Sequence, residues 1–194
     1  MPRSLRLTLA ALCLTVAVGG GLWFTMAPAE AALRTGARAP DFTAPAAQGG
    51  RRFNVTLSRL LQRGPVVIYF FPRVFTDGCT IESRAFAAAV PDFRAAGATV
   101  LGMSADSVAD LARFSTQECR SAFPMAQASS TVISGYQVAL ARVPGVTMSD
   151  RTSYVIAQDG TIALAHSDMN PNDHVRETLA AVQRLQVARQ AARR

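Results

Sequence analysis

The stretch Val66-Val67-Ile68-Tyr69-Phe70-Phe71 leaves few structural options. It is too short for a buried helix, and it shows no alternation that would leave one face in water. Such a run fits a central strand covered on both faces. Pro72 stops it, because proline cannot continue the ladder. The rest of the chain must therefore supply strands beside this one and helices on both sides of the sheet.

The flanking sequence supplies them. Ala44 to Arg52 is rich in Gly, Ala and Gln and reads as a turn between short strands. Phe53 to Thr56 reads as a strand, and Leu57 to Arg63 as a short helix ended by Gly64-Pro65. Cys79 to Ala96 has helical periodicity, with Ile81, Phe86, Val90 and Phe93 as the expected inner stripe. Pro91 predicts a kink or break inside it, and Gly97 ends it. Thr99 to Met103 is a second buried strand. Ser107 to Glu118 is a helix with Val108, Leu111 and Phe114 inward, and Thr131 to Val138 is a shorter one. Tyr154 to Ala157 and Ile162 to Ala165 form a hairpin around Asp159-Gly160. A final helix is expected over Pro171 to Arg189, burying Val175, Leu179, Val182 and Leu185. Strands alternating with helices, closed by a hairpin and a helix, give an α/β fold. Its element order is that of a thioredoxin-like fold, with a central mixed β-sheet flanked by helices.

Part of the chain stands outside that domain. Met1 to Leu33 reads as an export segment: Arg3 and Arg6 lead an uncharged run, Leu7 to Ala27, and Ala29-Glu30-Ala31 fits a small-x-small cleavage site. A signal peptide over residues 1–31 then leaves one domain over 32–194. The same run is long enough to serve instead as an uncleaved N-terminal membrane anchor. Both alternatives put the domain on the outer side, in the cell envelope or periplasm. Cys13 falls in the apolar run, too early for a lipoprotein junction, and reads as filler. Cys79 and Cys119 remain, an even pair in an oxidising compartment.

Composition excludes several chemistries. All 20 residues counted as Lys or Arg are Arg, so lysine nucleophiles, Schiff bases and a P-loop lysine are absent. The net charge of +7 comes with no nucleic-acid recognition motif. His166 and His174 have no Cys or carboxylate at metal-ligand spacing and read as surface residues. Asp168, Asp173 and Glu177 read as solvated faces. No metal or other cofactor is called for, and without a Cys-x-x-Cys pair the chain is not a thioredoxin-type disulfide oxidoreductase.

The chemistry concentrates in Pro72-Arg73-Val74-Phe75-Thr76-Asp77-Gly78-Cys79, between the buried strand and the start of a helix. Free N–H groups and the positive dipole end at a helix N-terminus favour a thiolate on Cys79. Thr76 lies three residues earlier, where its hydroxyl can reach the sulfur or a bound oxygen, and Pro72 can shield the pocket from water.

The pattern Pro72-x-x-x-Thr76-x-x-Cys79 after a Val-Val-Ile-Tyr-Phe-Phe strand resembles the peroxiredoxins, in particular the branch of the bacterioferritin comigratory protein. Ala39-Pro40-Asp41-Phe42 resembles the family's opening, Thr76-Asp77-Gly78-Cys79-Thr80 with Glu82 its active-site loop, and Val100 to Ser104 with Asp106 its next strand. Arg151 to Ile156, followed by Asp159-Gly160, resembles its arginine-bearing segment. Asp77 stands where a proline is usual. The resemblance implies a thiol-dependent peroxidase acting on hydrogen peroxide or organic hydroperoxides. Cys79 would attack a peroxide oxygen and become a sulfenic acid. Thr76 would orient the peroxide, and Arg151 would stabilise thiolate and developing charge. Glu82, one turn beyond Cys79, would pair with Arg151 and aim it.

Many members of that branch carry a second cysteine five residues after the first, where this chain has Arg84. Others carry it on the next helix, and Cys119 suits that part. A Cys79–Cys119 disulfide would then be reduced by a thioredoxin-like or other dithiol partner. Other readings stay open: a one-cysteine enzyme, a non-enzymatic domain with a permanent Cys79–Cys119 bridge, or a thiol redox sensor. Monomer and homodimer are both compatible with the sequence, and the N-terminal segment offers a route to membrane association.

Overall fold

The computed structural model describes residues 32–140 and 147–194; the export segment, Cys13 and the Ala29-Glu30-Ala31 junction lie outside them. Thr43–Gln48 (β1) and Arg51–Thr56 (β2) form an antiparallel hairpin that turns on Gly49 and Gly50. Both glycines have positive φ, at 58° and 77°, the conformation that a two-residue hairpin matched to strand twist requires. The expected turn over Ala44 to Arg52 thus shrinks to two residues. Its alanines belong to the strand, where Ala44, Ala46 and Ala47 are buried.

Leu57–Leu61 (α1) leads to Val66–Phe70 (β3), which is buried along its whole length. Asp77–Ala95 (α2), Thr99–Ser104 (β4), Val108–Gln117 (α3), Met125–Gln127 (β5) and Ser130–Gly135 (α4) follow. Thr152–Ile156 (β6), Ile162–Ser167 (β7) and His174–Ala191 (α5) complete the chain. One mixed seven-stranded sheet runs β2-β1-β5-β4-β3-β6-β7. Strands β3, β4 and β5 are parallel, and β6 and β7 join antiparallel. This is the thioredoxin-like α/β arrangement. The short strand β5 was not expected from the sequence, because three residues are too few to show a period.

Side chains alternate along β3 into two cores. Val66, Ile68 and Phe70 face one, with Leu101, Ile133, Tyr136 and Tyr154. Val67, Tyr69 and Phe71 face the other, with Phe86 and Phe93 of α2, Phe114 of α3 and Val182 of α5. Aromatic rings bind the second core: Tyr69 stacks on Phe86 at 4.3 Å between centroids and on Phe71 at 5.5 Å.

The helices differ from expectation in three places. Helix α2 runs unbroken through Pro91. Its buried face carries Cys79, Glu82, Ser83, Phe86, Val90 and Phe93, while Ile81 is 53% exposed. Two polar residues take positions that a hydrophobic period would assign to apolar ones. Helix α5 begins at His174, with Asp173 as its N-cap, rather than at Pro171. Its fully buried residues are His174, Thr178, Ala181 and Val182, and Val175, Leu179 and Leu185 pack more loosely at the flank. Among the described residues, no helix is long and apolar enough to cross a membrane.

Gly102 lets the second core close over the sheet. A Cβ there would lie 2.6 Å from Met125 Sδ and 2.8 Å from the Tyr69 ring. Gly102→Ala should therefore cost about 1–3 kcal/mol by overpacking. A lower urea midpoint with an unchanged m-value is the expected result, and an unchanged midpoint would show that the aromatic layer has slack.

Candidate active site

The loop from Phe71 to Thr76 is tied down at three points. Phe71 O accepts from the buried Ser149 hydroxyl at 2.8 Å. Val74 N donates to Asp106 Oδ2 at 2.9 Å, and the same oxygen accepts from Ser104 at 2.8 Å. Phe75 takes a positive φ of 59° and sets its ring edge-on to Phe114, with the Arg113 guanidinium 5.5 Å from its centroid. A positive φ at a bulky residue is strained backbone, held by the contacts around it. The loop delivers the chain into α2 with Thr76 as N-cap, so Cys79 falls in the first helical turn, where it is 1% exposed.

Strand pairing brings the arginine to the cysteine. Strand β6 lies antiparallel to β3 with Thr152 opposite Phe70. The residue before β6 is therefore beside the start of the loop from Phe71 to Thr76, and that residue is Arg151. Its side chain is 5% exposed. Each guanidinium nitrogen has a partner. Nη2 donates to Cys79 Sγ at 3.4 Å, Nη1 donates to Glu82 Oε2, and Nε donates to Met169 O at 2.9 Å. Gly78 leaves room for this, since a Cβ there would sit 3.1 Å from Nη2. Burial works against the Arg151 charge, and the neighbouring Glu82 and Cys79 more than restore it.

Glu82 is wholly buried, not the solvated helix charge its residue type suggests. Burial pushes its carboxyl up to about 8, and Arg151 pulls it back only in part. Its second oxygen, Oε1, has no hydrogen-bond partner among the described residues. His174 Nδ1 lies 3.6 Å from it. His174 is a buried residue of this site, which corrects its assignment to the surface. The sequence carried no signal for it, because its neighbours Ser153, Glu82 and His166 are remote along the chain. Burial, with help from His166 and Arg151, lowers its pKa to about 4 against the pull of the Asp168 carbonyl, so it is neutral at physiological pH.

The other expected residues are placed as follows. Pro72 is half-buried at the head of the loop. Thr76 is exposed, and its hydroxyl donates to Arg73 O at 3.1 Å. Cys119 is a buried free thiol just beyond α3, in the same apolar cluster as Cys79, which is also free. Burial, joined by Glu118, pushes the Cys119 thiol up to about 12, with Ser83 opposing. Ser83 also pairs with the Tyr69 hydroxyl at 3.0 Å. Arg84, at the position of the branch's other second cysteine, binds Glu118 at 2.7 Å beside Cys119. Among the described residues, no group of three His, Cys, Asp or Glu side chains could hold a metal.

A buried cysteine in the first turn of a helix, under a guanidinium that a buried glutamate holds, is the arrangement the resemblance implied. The AhpC/TSA family profile matches residues 35–165. The chain is a peroxiredoxin. It is 32% identical over 151 residues to the chloroplastic peroxiredoxin Q of Oryza sativa subsp. japonica, spanning 77% of this chain and 67% of that protein. The crystal structure of peroxidoxin BcpB from Mycobacterium tuberculosis superposes with a TM-score of 0.72 at 28% identity, covering 78% of this chain and 97% of that one. Peroxiredoxin Q of Xanthomonas campestris superposes with a TM-score of 0.64 at 28% identity, covering 73% and 90%. These relatives place the peroxiredoxin in the bacterioferritin comigratory protein branch.

Glu82 gives this peroxiredoxin a pH-dependent stability of defined sign. Its folded pKa is raised from 4.5 to about 8, so its contribution is complete below about 4.5 and is lost as pH rises through about 8. Between about pH 7.5 and 8, a unit or more above the ordinary imidazole value of 6.5, His174 is largely neutral both folded and unfolded and adds little opposing slope. Urea midpoints should fall across that window, and Glu82→Gln should flatten the fall. An equal slope in the variant would assign it to another group.

Proposed function

We propose that Cys79 is the peroxidatic nucleophile of this thiol-dependent peroxidase and that Cys119 resolves the oxidised form. The observation that carries the reading is the Arg151 Nη2 hydrogen bond to Cys79 Sγ at 3.4 Å within a buried site. A cation fixed on the sulfur stabilises the thiolate and then the charge that spreads over the breaking O–O bond. Sulfur forms a bond to one peroxide oxygen, the O–O bond breaks, and the departing oxygen takes a proton to leave as water or an alcohol. Cys79 is left as a sulfenic acid. The Cys119 thiol then attacks the sulfenic sulfur, the S–S bond forms, and the hydroxyl departs as water with the Cys119 proton. A dithiol reductant of thioredoxin type returns both cysteines to thiols.

Thr76 is assigned to orient the peroxide, which requires its hydroxyl to turn from Arg73 O once substrate is bound. Pro72 walls the pocket. We place the domain outside the cytoplasm on the strength of Arg3, Arg6 and the uncharged run Leu7 to Ala27. A permanent Cys79–Cys119 bridge is the less favoured alternative, since it would leave no thiol under Arg151.

Mass spectrometry before and after one equivalent of peroxide tests the assignment. The native protein should lose two hydrogens as the Cys79–Cys119 disulfide forms. Cys119→Ser should instead gain one oxygen on Cys79 and form no intramolecular disulfide. Cys79→Ser should leave peroxide unconsumed; turnover by that variant with a dithiol donor would refute the nucleophile.

A further inference from the structure

We propose that His174 is a positioning residue of the peroxidase site, acting through Glu82 to hold Arg151 on the Cys79 sulfur. The inference rests on the assignment of Cys79 as nucleophile and adds a residue that touches neither peroxide nor sulfur.

The geometry fixes the state of the imidazole. Its Nε2 lies 2.9 Å from Asp168 O. A carbonyl can only accept, so Nε2 carries the proton. Nδ1 then bears the lone pair and accepts from the Ser153 hydroxyl at 2.8 Å. The same edge of the ring faces Glu82 Oε1 at 3.6 Å, beyond hydrogen-bond reach. Glu82 Oε1 is thereby backed by a neutral acceptor and finds no donor on that side. Among the described residues, the one side-chain donor to Glu82 is Arg151.

A backing group with a donor at that place would change the site. It would compete with Arg151 for the carboxylate and let the guanidinium swing from the sulfur. A smaller apolar group would open space beside a buried carboxyl and let Glu82 retreat. The neutral imidazole does neither. The groups around it are Glu82 from α2, Arg151 before β6, Ser153 on β6, His166 on β7 and Asp168 after β7. The His166 ring sits edge-on to it at 4.6 Å. The segment that accepts from His174 through Asp168 O also accepts from Arg151 Nε through Met169 O, so one turn anchors both side chains. The low pKa of His174 agrees with this role, since its neutral state is the useful one.

The test uses the full chain carrying Cys13→Ser and Cys119→Ser, so that Cys79 is the single thiol. Two quantities are read: the pH profile of Cys79 alkylation by iodoacetamide, and the second-order rate of Cys79 oxidation by hydrogen peroxide. His174→Gln keeps an amide near Nε2 and empties the Nδ1 position. It should displace the alkylation profile and slow oxidation roughly tenfold, the scale of a misplaced catalytic group. His174→Asn can set its amide oxygen at the Nδ1 position, accepting from Ser153 as the imidazole does, and should restore part of the rate. In a Glu82→Gln background, His174→Gln should add nothing further, because its route to the sulfur is already cut.

The proposal is overturned if His174→Gln matches the parent in both profile and rate while only its thermal midpoint falls. It is equally overturned if the Glu82 and His174 effects multiply. Should the His174 variants fail to fold, Ser153→Ala removes only the hydroxyl that Nδ1 accepts and should shift the profile in the same direction; no shift would overturn the proposal. A parent protein that alkylates normally but ignores peroxide would refute the peroxidase assignment, and the alkylation profiles would still decide the role of His174.

Discussion

The burial of the Arg151 guanidinium is the constraint around which the rest is arranged. A charge withdrawn from water is costly unless it is paired and its donors are satisfied. Here every guanidinium nitrogen has an acceptor, and the three acceptors come from two distant parts of the chain. Cys79 and Glu82 come from α2, and Met169 O comes from the turn after β7. The partners meet because β6 lies against β3 in antiparallel register and α2 crosses the same face of the sheet. The long apolar run of β3 is thus more than core. It is the rail that sets the height of the Phe71 to Thr76 loop relative to Arg151.

The second cysteine is held differently. Cys119 is buried among aromatic residues, beside the hydroxyl of Ser83. The turn that follows has Arg120 and Ser121 in succession at positive φ, 49° and 57°. Neither is a glycine, so the segment carries backbone strain that the packing of Cys119 and the Arg84–Glu118 pair hold in place. In the proposed cycle the two sulfurs must come within bonding distance, which disulfide geometry permits only for close Cα atoms. A strained turn beside Cys119 would lower the cost of that movement, while burial keeps the thiol protonated.

Much of this was legible in the sequence where physics is periodic or punctuated. The β3 run, the Asp159-Gly160 hairpin, Gly97 and the loop around Cys79 carried their own signals, and the pairing of Glu82 with Arg151 was implied by the family resemblance. The helix faces that were hidden share one cause. Buried polar residues break the hydrophobic code at functional places. Glu82 and Ser83 occupy the inner face of α2 and push Ile81 out to solvent. His174 opens the inner face of α5, so a stripe drawn through Val175 and Leu179 is rotated off the true one. Both of these errors lie beside the site, and both arise because the polar group meets a partner distant in sequence.

The Glu82 carboxyl brings these threads together. An ionised Glu82 and a Cys79 thiolate would set two anions on one buried cation and leave a net negative charge in a low-dielectric site. A proton on Glu82 removes that excess. Oε1, the oxygen without a donor, is the atom on which it can rest, while Oε2 remains against Arg151. Arg151 then directs its charge at the Cys79 sulfur, where the proposed reaction builds negative charge. A helix position that looks wrong for a core is therefore the place where the fold sets the electrostatics around Cys79.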